Sequence, residues 1–97
     1  MDLATFKEST RYDQMPVDLS IHLQALWLDK KGEWAKAHHL VDTLPDEDSA
    51  FLHAYLHRKE GDQSNAAYWY QRAGKKKPDV PLDKEWENMA RYFLEKK

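Results

Sequence analysis

The sequence predicts an all-α fold of about five helices, paired as antiparallel hairpins within one small domain. The first observation is an internal repeat at an offset of 29 residues, which is typical of one helical hairpin used twice. The second is that apolar residues recur at spacings of three and four. The third is that strand-like alternation and Asn-Gly or Asp-Gly turns are absent from the sequence. The repeated residues are Leu23, Ala25, Gly32 and Ala37, matched by Leu52, Ala54, Gly61 and Ala66.

The composition supports a folded domain and excludes several classes of function. Hydrophobic residues make up 41% of the 97 residues and aromatic residues 12%, enough for a modest core. With 15 basic and 17 acidic residues, the net charge of −2 argues against nucleic acid as a partner. The absence of cysteine excludes disulfides, thiolate nucleophiles and cysteine-based zinc sites. The same absence fits a reducing compartment, so we expect a cytoplasmic location. No apolar run reaches the roughly 20 residues that span a bilayer, so we expect no membrane segment.

The domain is predicted to follow a polar N-terminal segment. Residues 1–14 form an arm or a short helix, and residues 15–97 form a single helical domain. Within that domain the first hairpin covers residues 15–45, the second covers 46–78, and a capping helix covers 79–97. The boundaries follow the proline and glycine residues, because these punctuate helical patterns more strongly than other residues do.

The first hairpin is delimited by local start and stop signals. Asp18 is predicted to cap a helix that runs from Leu19 to Lys30. Gly32 suits the left-handed turn that follows a helix. A second helix is expected from Glu33 to Thr43, and Pro45 ends it.

The second hairpin and the capping helix carry similar signals. The acidic residues 46–48 place negative charge at the start of a third helix, where the helix dipole favours it. Gly61 ends that helix and Asp62 is predicted to cap the fourth. Pro81 suits the first turn of a fifth helix that reaches to about Lys96.

The repeat resembles the tetratricopeptide family of helical hairpins. The second unit carries the family's turn residue, close-packing alanines, aromatic residue and terminal proline as Gly61, Ala66, Tyr70, Ala73 and Pro78. The first unit matches less fully, through Gly32, Glu33, Trp34, Ala37 and Val41. The fifth helix resembles the start of a further repeat, through Trp86, Met89, Ala90 and Phe93. Residues 65–73 are also similar to the second helix of a Sel1-like repeat.

This resemblance implies a right-handed array of two and a half repeats that acts as an interaction scaffold. The first helix of each repeat would line a concave surface that binds a peptide segment. The partner-binding residues implied are His22, Leu26, Phe51, Tyr55, Arg58, Lys59 and Arg91. The alternative is that these residues pack against the fifth helix or the N-terminal arm. Tyr68 lies opposite the inward stripe of its helix and suits self-association, for example as a homodimer.

The candidate for a chemical site is a pair of histidines. His53 and His57 are four residues apart and therefore share one helical face. They suit a metal pair or a general base, although zinc needs at least one more ligand. The fold would have to bring that ligand from elsewhere; the donors considered are His22, His38, Glu60 and Asp62. The alternative is that both imidazoles are structural groups packed on the neighbouring hairpin.

The sequence therefore predicts a non-catalytic interaction module, with no cofactor and no catalytic residue. Its partner would be a protein segment or a second copy of the chain. The alternative is a small-ligand or metal-binding protein that uses His53 and His57, with or without catalysis.

Overall fold

The computed structural model describes residues 1–96, and within them every regular element is an α-helix. Lys97, the last residue of the predicted capping helix, lies outside the described residues. The six helices are α1 Leu3–Ser9, α2 Ile21–Lys30, α3 Trp34–Val41, α4 Glu47–Glu60, α5 Gln63–Arg72 and α6 Leu82–Glu95. The all-α prediction is confirmed.

The helices pack in sequence-adjacent pairs. Helix α2 packs on α3, α4 packs on α5, and α3 packs on α4 between the pairs. Helix α6 lies against α2 and α4, and α1 packs on α6. The main core is centred on large buried side chains of α2, α4 and α6, notably Leu26, Leu56 and Trp86. The apolar face of each helix is thus covered by another helix.

The predicted count of about five helices is too low by one. The additional helix is α1, within the segment that was predicted to be an arm or a short helix. Phe6 is 0% exposed, and its ring stacks on that of Trp86 with 5.6 Å between the centroids. The Trp27 indole donates a hydrogen bond to the Ser9 hydroxyl at 3.2 Å. A single buried aromatic therefore docks this short helix on the core.

The cap of the first long helix also differs from the prediction. Ser20, not Asp18, caps α2, because the Ser20 hydroxyl accepts a hydrogen bond from the Leu23 backbone N–H at 3.3 Å. Asp18 instead adopts a left-handed conformation with φ of 63° in the preceding loop. The predicted cap Asp62 is confirmed, since its carboxylate accepts the backbone N–H of Asn65. Gly61 follows α4 with φ of 90°, as expected of a helix-ending glycine.

Two alanines of the repeat are buried between α4 and α5. Ala54 of α4 and Ala66 of α5 are 0% and 1% exposed, and they cluster with Tyr70. A methyl side chain at both positions permits close packing of α4 on α5. The prediction that both alanines point inward is confirmed.

We expect Ala54→Leu or Ala66→Leu to lower the free energy of unfolding by about 1–3 kcal/mol, because the added carbons overpack the contact between α4 and α5. Urea unfolding monitored by circular dichroism measures the change. Ala67 is exposed on the same helix as Ala66, so Ala67→Leu is the matched control and should change stability little. Equal stability of all three variants would contradict the helix packing described here.

No helix within residues 1–96 is long and apolar enough to cross a bilayer.

Candidate functional site

Three histidines from two helices meet at the contact between α3 and α4. His53 and His57 lie one turn apart on α4, and His38 comes from α3. One ring nitrogen from each of the three lies within 4.8 Å of the others. The Nε2 atoms of His38 and His53 are 2.9 Å apart, so one ring donates a hydrogen bond to the other. The predicted pair is thus completed by one of the four donors considered, His38.

Two tryptophans flank this three-histidine cluster. Trp34 stacks on His38 with 4.9 Å between centroids, and Trp69 of α5 stacks on His53 at 3.9 Å. The Trp34 indole N–H donates to the Leu56 carbonyl at 2.8 Å, which fixes the ring against α4. The cluster is therefore walled by flat apolar surfaces that hold the imidazoles in place.

The surroundings keep two of the imidazoles neutral. Burial lowers the pKa of His53 from 6.5 to about 4, and the second cause is the repulsion between the protonated forms of His53 and His38. Burial also lowers the pKa of His38, and the nearby His57 adds to the effect. His53 and His57 are only 5% and 8% exposed, whereas His38 is partly exposed and borders solvent. Neutral imidazoles carry a free lone pair, which is the form that binds metal ions.

The arrangement matches the donor chemistry of a transition-metal site. Zinc bound to imidazole nitrogens at 2.0–2.1 Å in a tetrahedral site brings those nitrogens to about 3.3 Å from one another. The His38 and His53 Nε2 atoms are 2.9 Å apart, and all three nitrogens lie within 4.8 Å of one another. Side-chain shifts on the order of an ångström would therefore bring the nitrogens to that geometry. The two remaining histidines stand apart from the cluster, His22 on α2 and His39 on the exposed face of α3.

A second constellation joins a serine, a histidine and an aspartate. The His22 Nε2 atom lies 3.0 Å from the Ser49 hydroxyl and 3.1 Å from the Asp46 carboxylate. The Ser49 hydroxyl is fully buried and donates to Asp46 at 2.7 Å. Asp46 also caps α4 through the Ser49 backbone N–H. The hydroxyl proton is thus engaged by the carboxylate rather than the imidazole, and this set ties α2 to the start of α4.

The residues expected to bind a partner are largely engaged inside the molecule. Leu26 and Tyr55 are buried in the core and offer no surface to a partner. The Tyr55 hydroxyl donates to the buried Asp29 carboxylate at 2.8 Å, and Lys59 donates to the same carboxylate at 2.8 Å. The structure places these side chains in the contact between α2 and α4 instead of an open groove.

The other four residues of that set have separate surroundings. Arg58 is held by the buried Glu85 carboxylate of α6 at 2.6 Å. His22 stacks on Phe93, and Phe51 is half-buried beside Ala54 and Tyr70. Arg91 is exposed on α6. Of the seven residues, Lys59 and Arg91 are therefore the two that are exposed, and they lie on different helices.

The sequence indicated the pair His53 and His57, but it did not indicate that His38 and Trp69 would lie beside them. The spacing of four between His53 and His57 was visible in the sequence, but Trp69 carried no sign of stacking on His53. His38 was one donor among four, because helical spacing does not say which distant residue faces α4. Trp34 and His38, four residues apart on α3, were the available signal for an aromatic wall beside a histidine.

The protein is therefore an all-helical chain in which three histidines lie at the contact between the α2–α3 pair and the α4–α5 pair. Comparison with protein-family models, curated proteins and solved structures gave no match for the chain.

Proposed function

We propose that this chain binds a divalent transition-metal ion through His38, His53 and His57. The observation that carries the proposal is the convergence of three ring nitrogens within 4.8 Å of one another, from helices of different pairs. Imidazole nitrogen is a preferred ligand of Zn²⁺, Ni²⁺ and Cu²⁺, whereas Mg²⁺ and Ca²⁺ prefer oxygen. Since this group contains nitrogen donors alone, it favours the first set of ions.

The number of ligands bears on the type of site. Structural zinc sites take four protein ligands, whereas three protein ligands leave a coordination position for water or another molecule. The three histidines therefore suit an ion that keeps one exchangeable ligand. His38, which borders solvent, supports entry of the ion from the side of α3.

Isothermal titration calorimetry on chelator-treated protein tests the proposal. We expect one Zn²⁺ or Ni²⁺ to bind per chain with a dissociation constant on the order of micromolar or tighter, and Mg²⁺ not to bind. His53→Asn should abolish binding because it removes the central donor. His39 is exposed on α3 next to His38, so His39→Asn is the matched control and should bind as the unaltered chain does. Absence of binding to the unaltered chain would rule out the proposal.

The predicted interaction module stands as a second proposal, supported by a different surface. Tyr68 is 52% exposed on α5, and the Arg72 guanidinium lies 5.9 Å from the centre of its ring. An exposed aromatic beside an arginine is a composition enriched at protein interfaces. Sedimentation velocity at high concentration tests self-association: a clean monomer would count against it, and Tyr68→Ala should weaken any dimer.

We also propose that the helices form a tetratricopeptide-like array. The support for this proposal is that they pack in the sequence-adjacent pairs α2–α3 and α4–α5.

A further inference from the structure

Two carboxylates lie next to the three-histidine cluster, one beside His38 and one beside His57. Asp42 is the C-cap that follows α3, four residues after His38, and its Oδ2 atom is 3.9 Å from the His38 Nδ1 atom. Glu60 ends α4 three residues after His57, and its Oε2 atom is 3.6 Å from the His57 Nδ1 atom. Both separations are slightly too long for a hydrogen bond.

The same places hold polar atoms without hydrogen-bond partners. Within the part of the chain that the structure describes, the buried side-chain atoms lacking a partner are Asp42 Oδ1 and His57 Nδ1. Leaving a buried polar atom unsatisfied costs about 1–3 kcal/mol, so native proteins rarely do so without a reason. His57 Nδ1 is the atom that lies 3.6 Å from Glu60, so a small movement would give it a hydrogen-bond partner. Asp42 Oδ1 is the second oxygen of the carboxylate whose Oδ2 atom lies nearest His38.

We propose that Asp42 and Glu60 are positioning residues for the metal site, an inference that rests on the proposed function. When an ion is bound, the side chains turn so that these separations shorten, and each carboxylate accepts a hydrogen bond from the Nδ1–H of its histidine. The Nε2 atom of each ring is then the one left to bind the ion. The Nε2 atom of His38 already faces His53. Such an acceptor fixes the tautomer and the orientation of a ligating imidazole and raises its basicity.

Asp62 is a third carboxylate near His57, and it has a different role. It lies within 4.8 Å of both His57 and Glu60. Its two carboxylate oxygens accept the backbone N–H and the side-chain amide of Asn65 at 3.3 Å. Asp62 is thereby engaged as the cap of α5, whereas within residues 1–96 Glu60 is paired with His57. Helical register fixes the two positioning residues, at four and three residues beyond their histidines.

Zinc titrations of Asp42→Asn and Glu60→Gln test the inference. We expect each variant to bind zinc about 10-fold or more weakly than the unaltered chain, with one ion still bound per chain. Glu47, at the opposite end of α4, supplies a control of equal charge change, and Glu47→Gln should bind within about twofold of the unaltered chain. Melting of the metal-free variants should stay close to that of the unaltered chain.

A spectroscopic readout separates positioning from a general structural effect. In the zinc-loaded chain, ¹⁵N NMR of the imidazoles should show protonated Nδ1 on His38 and His57, and Glu60→Gln should shift the His57 signal selectively. If the unaltered chain binds zinc but both variants bind it equally well, the inference is overturned while the proposed function stands. If the unaltered chain binds no zinc, the proposed function fails, and the inference with it.

Discussion

Replacement of Arg58 by methionine should lower the free energy of unfolding by about 3–5 kcal/mol, the largest stability effect we expect of any single substitution described here. Glu85 is 1% exposed, and its carboxylate is held by Arg58 at 2.6 Å and by the Tyr70 hydroxyl at 2.6 Å. Without the guanidinium, a charged carboxylate remains buried with one neutral partner. Because a domain of this size is stable by only about 5–15 kcal/mol, urea unfolding will show the loss clearly.

An exposed arginine provides the matched control for this substitution. Arg11 pairs with Glu8 at 3.4 Å on the surface of the chain, where such pairs contribute about 0–1 kcal/mol. Arg11→Met should therefore unfold close to the unaltered protein. Adding Glu85→Gln to Arg58→Met removes the stranded charge and should restore part of the stability. Equal urea midpoints for Arg58→Met and Arg11→Met would contradict the buried ion pair.

Zinc should raise the melting temperature of the chain by roughly 10–20 °C when free zinc reaches about 100 times the dissociation constant. An ion that binds the folded state alone then adds about 2.7 kcal/mol to its stability, and 1 kcal/mol corresponds to roughly 4–8 °C in domains of this length. The effect arises because the bound ion joins α3 of one pair to α4 of the next. Thermal unfolding monitored by circular dichroism across a zinc series measures it.

The histidine variants decide whether such a shift comes from the proposed site. His53→Asn should abolish the shift, whereas His39→Asn should retain it, because His39 is exposed and outside the cluster. Excess chelator should return the unaltered chain to its metal-free melting temperature. A shift of equal size in His53→Asn would place the ion elsewhere and contradict the proposed site.

Helices and the turn between α4 and α5 were predicted from the sequence, because they depend on residues that are close together in the chain. The helical spacing of apolar residues predicted helices that correspond to α2–α6. Gly61 and Asp62 marked the turn between α4 and α5, because a left-handed turn and a helix cap depend on neighbouring residues alone. The wrong prediction of the cap of α2 also had a local cause. Asp18 and Ser20 are both good caps two residues apart, and the sequence carried no reason to prefer Ser20.

The sequence by itself determined the all-helical class, the paired hairpins, the inward-facing Ala54 and Ala66, and the pairing of His53 with His57 on one face. Only the tertiary structure decided that His38 completes the cluster, that Arg58 meets Glu85 across 27 residues, and that Phe6 docks on Trp86. The physical reason is that helical periodicity fixes which residues share a face of one helix. Which faces meet depends on how the helices pack together, and no short stretch of sequence carries that information.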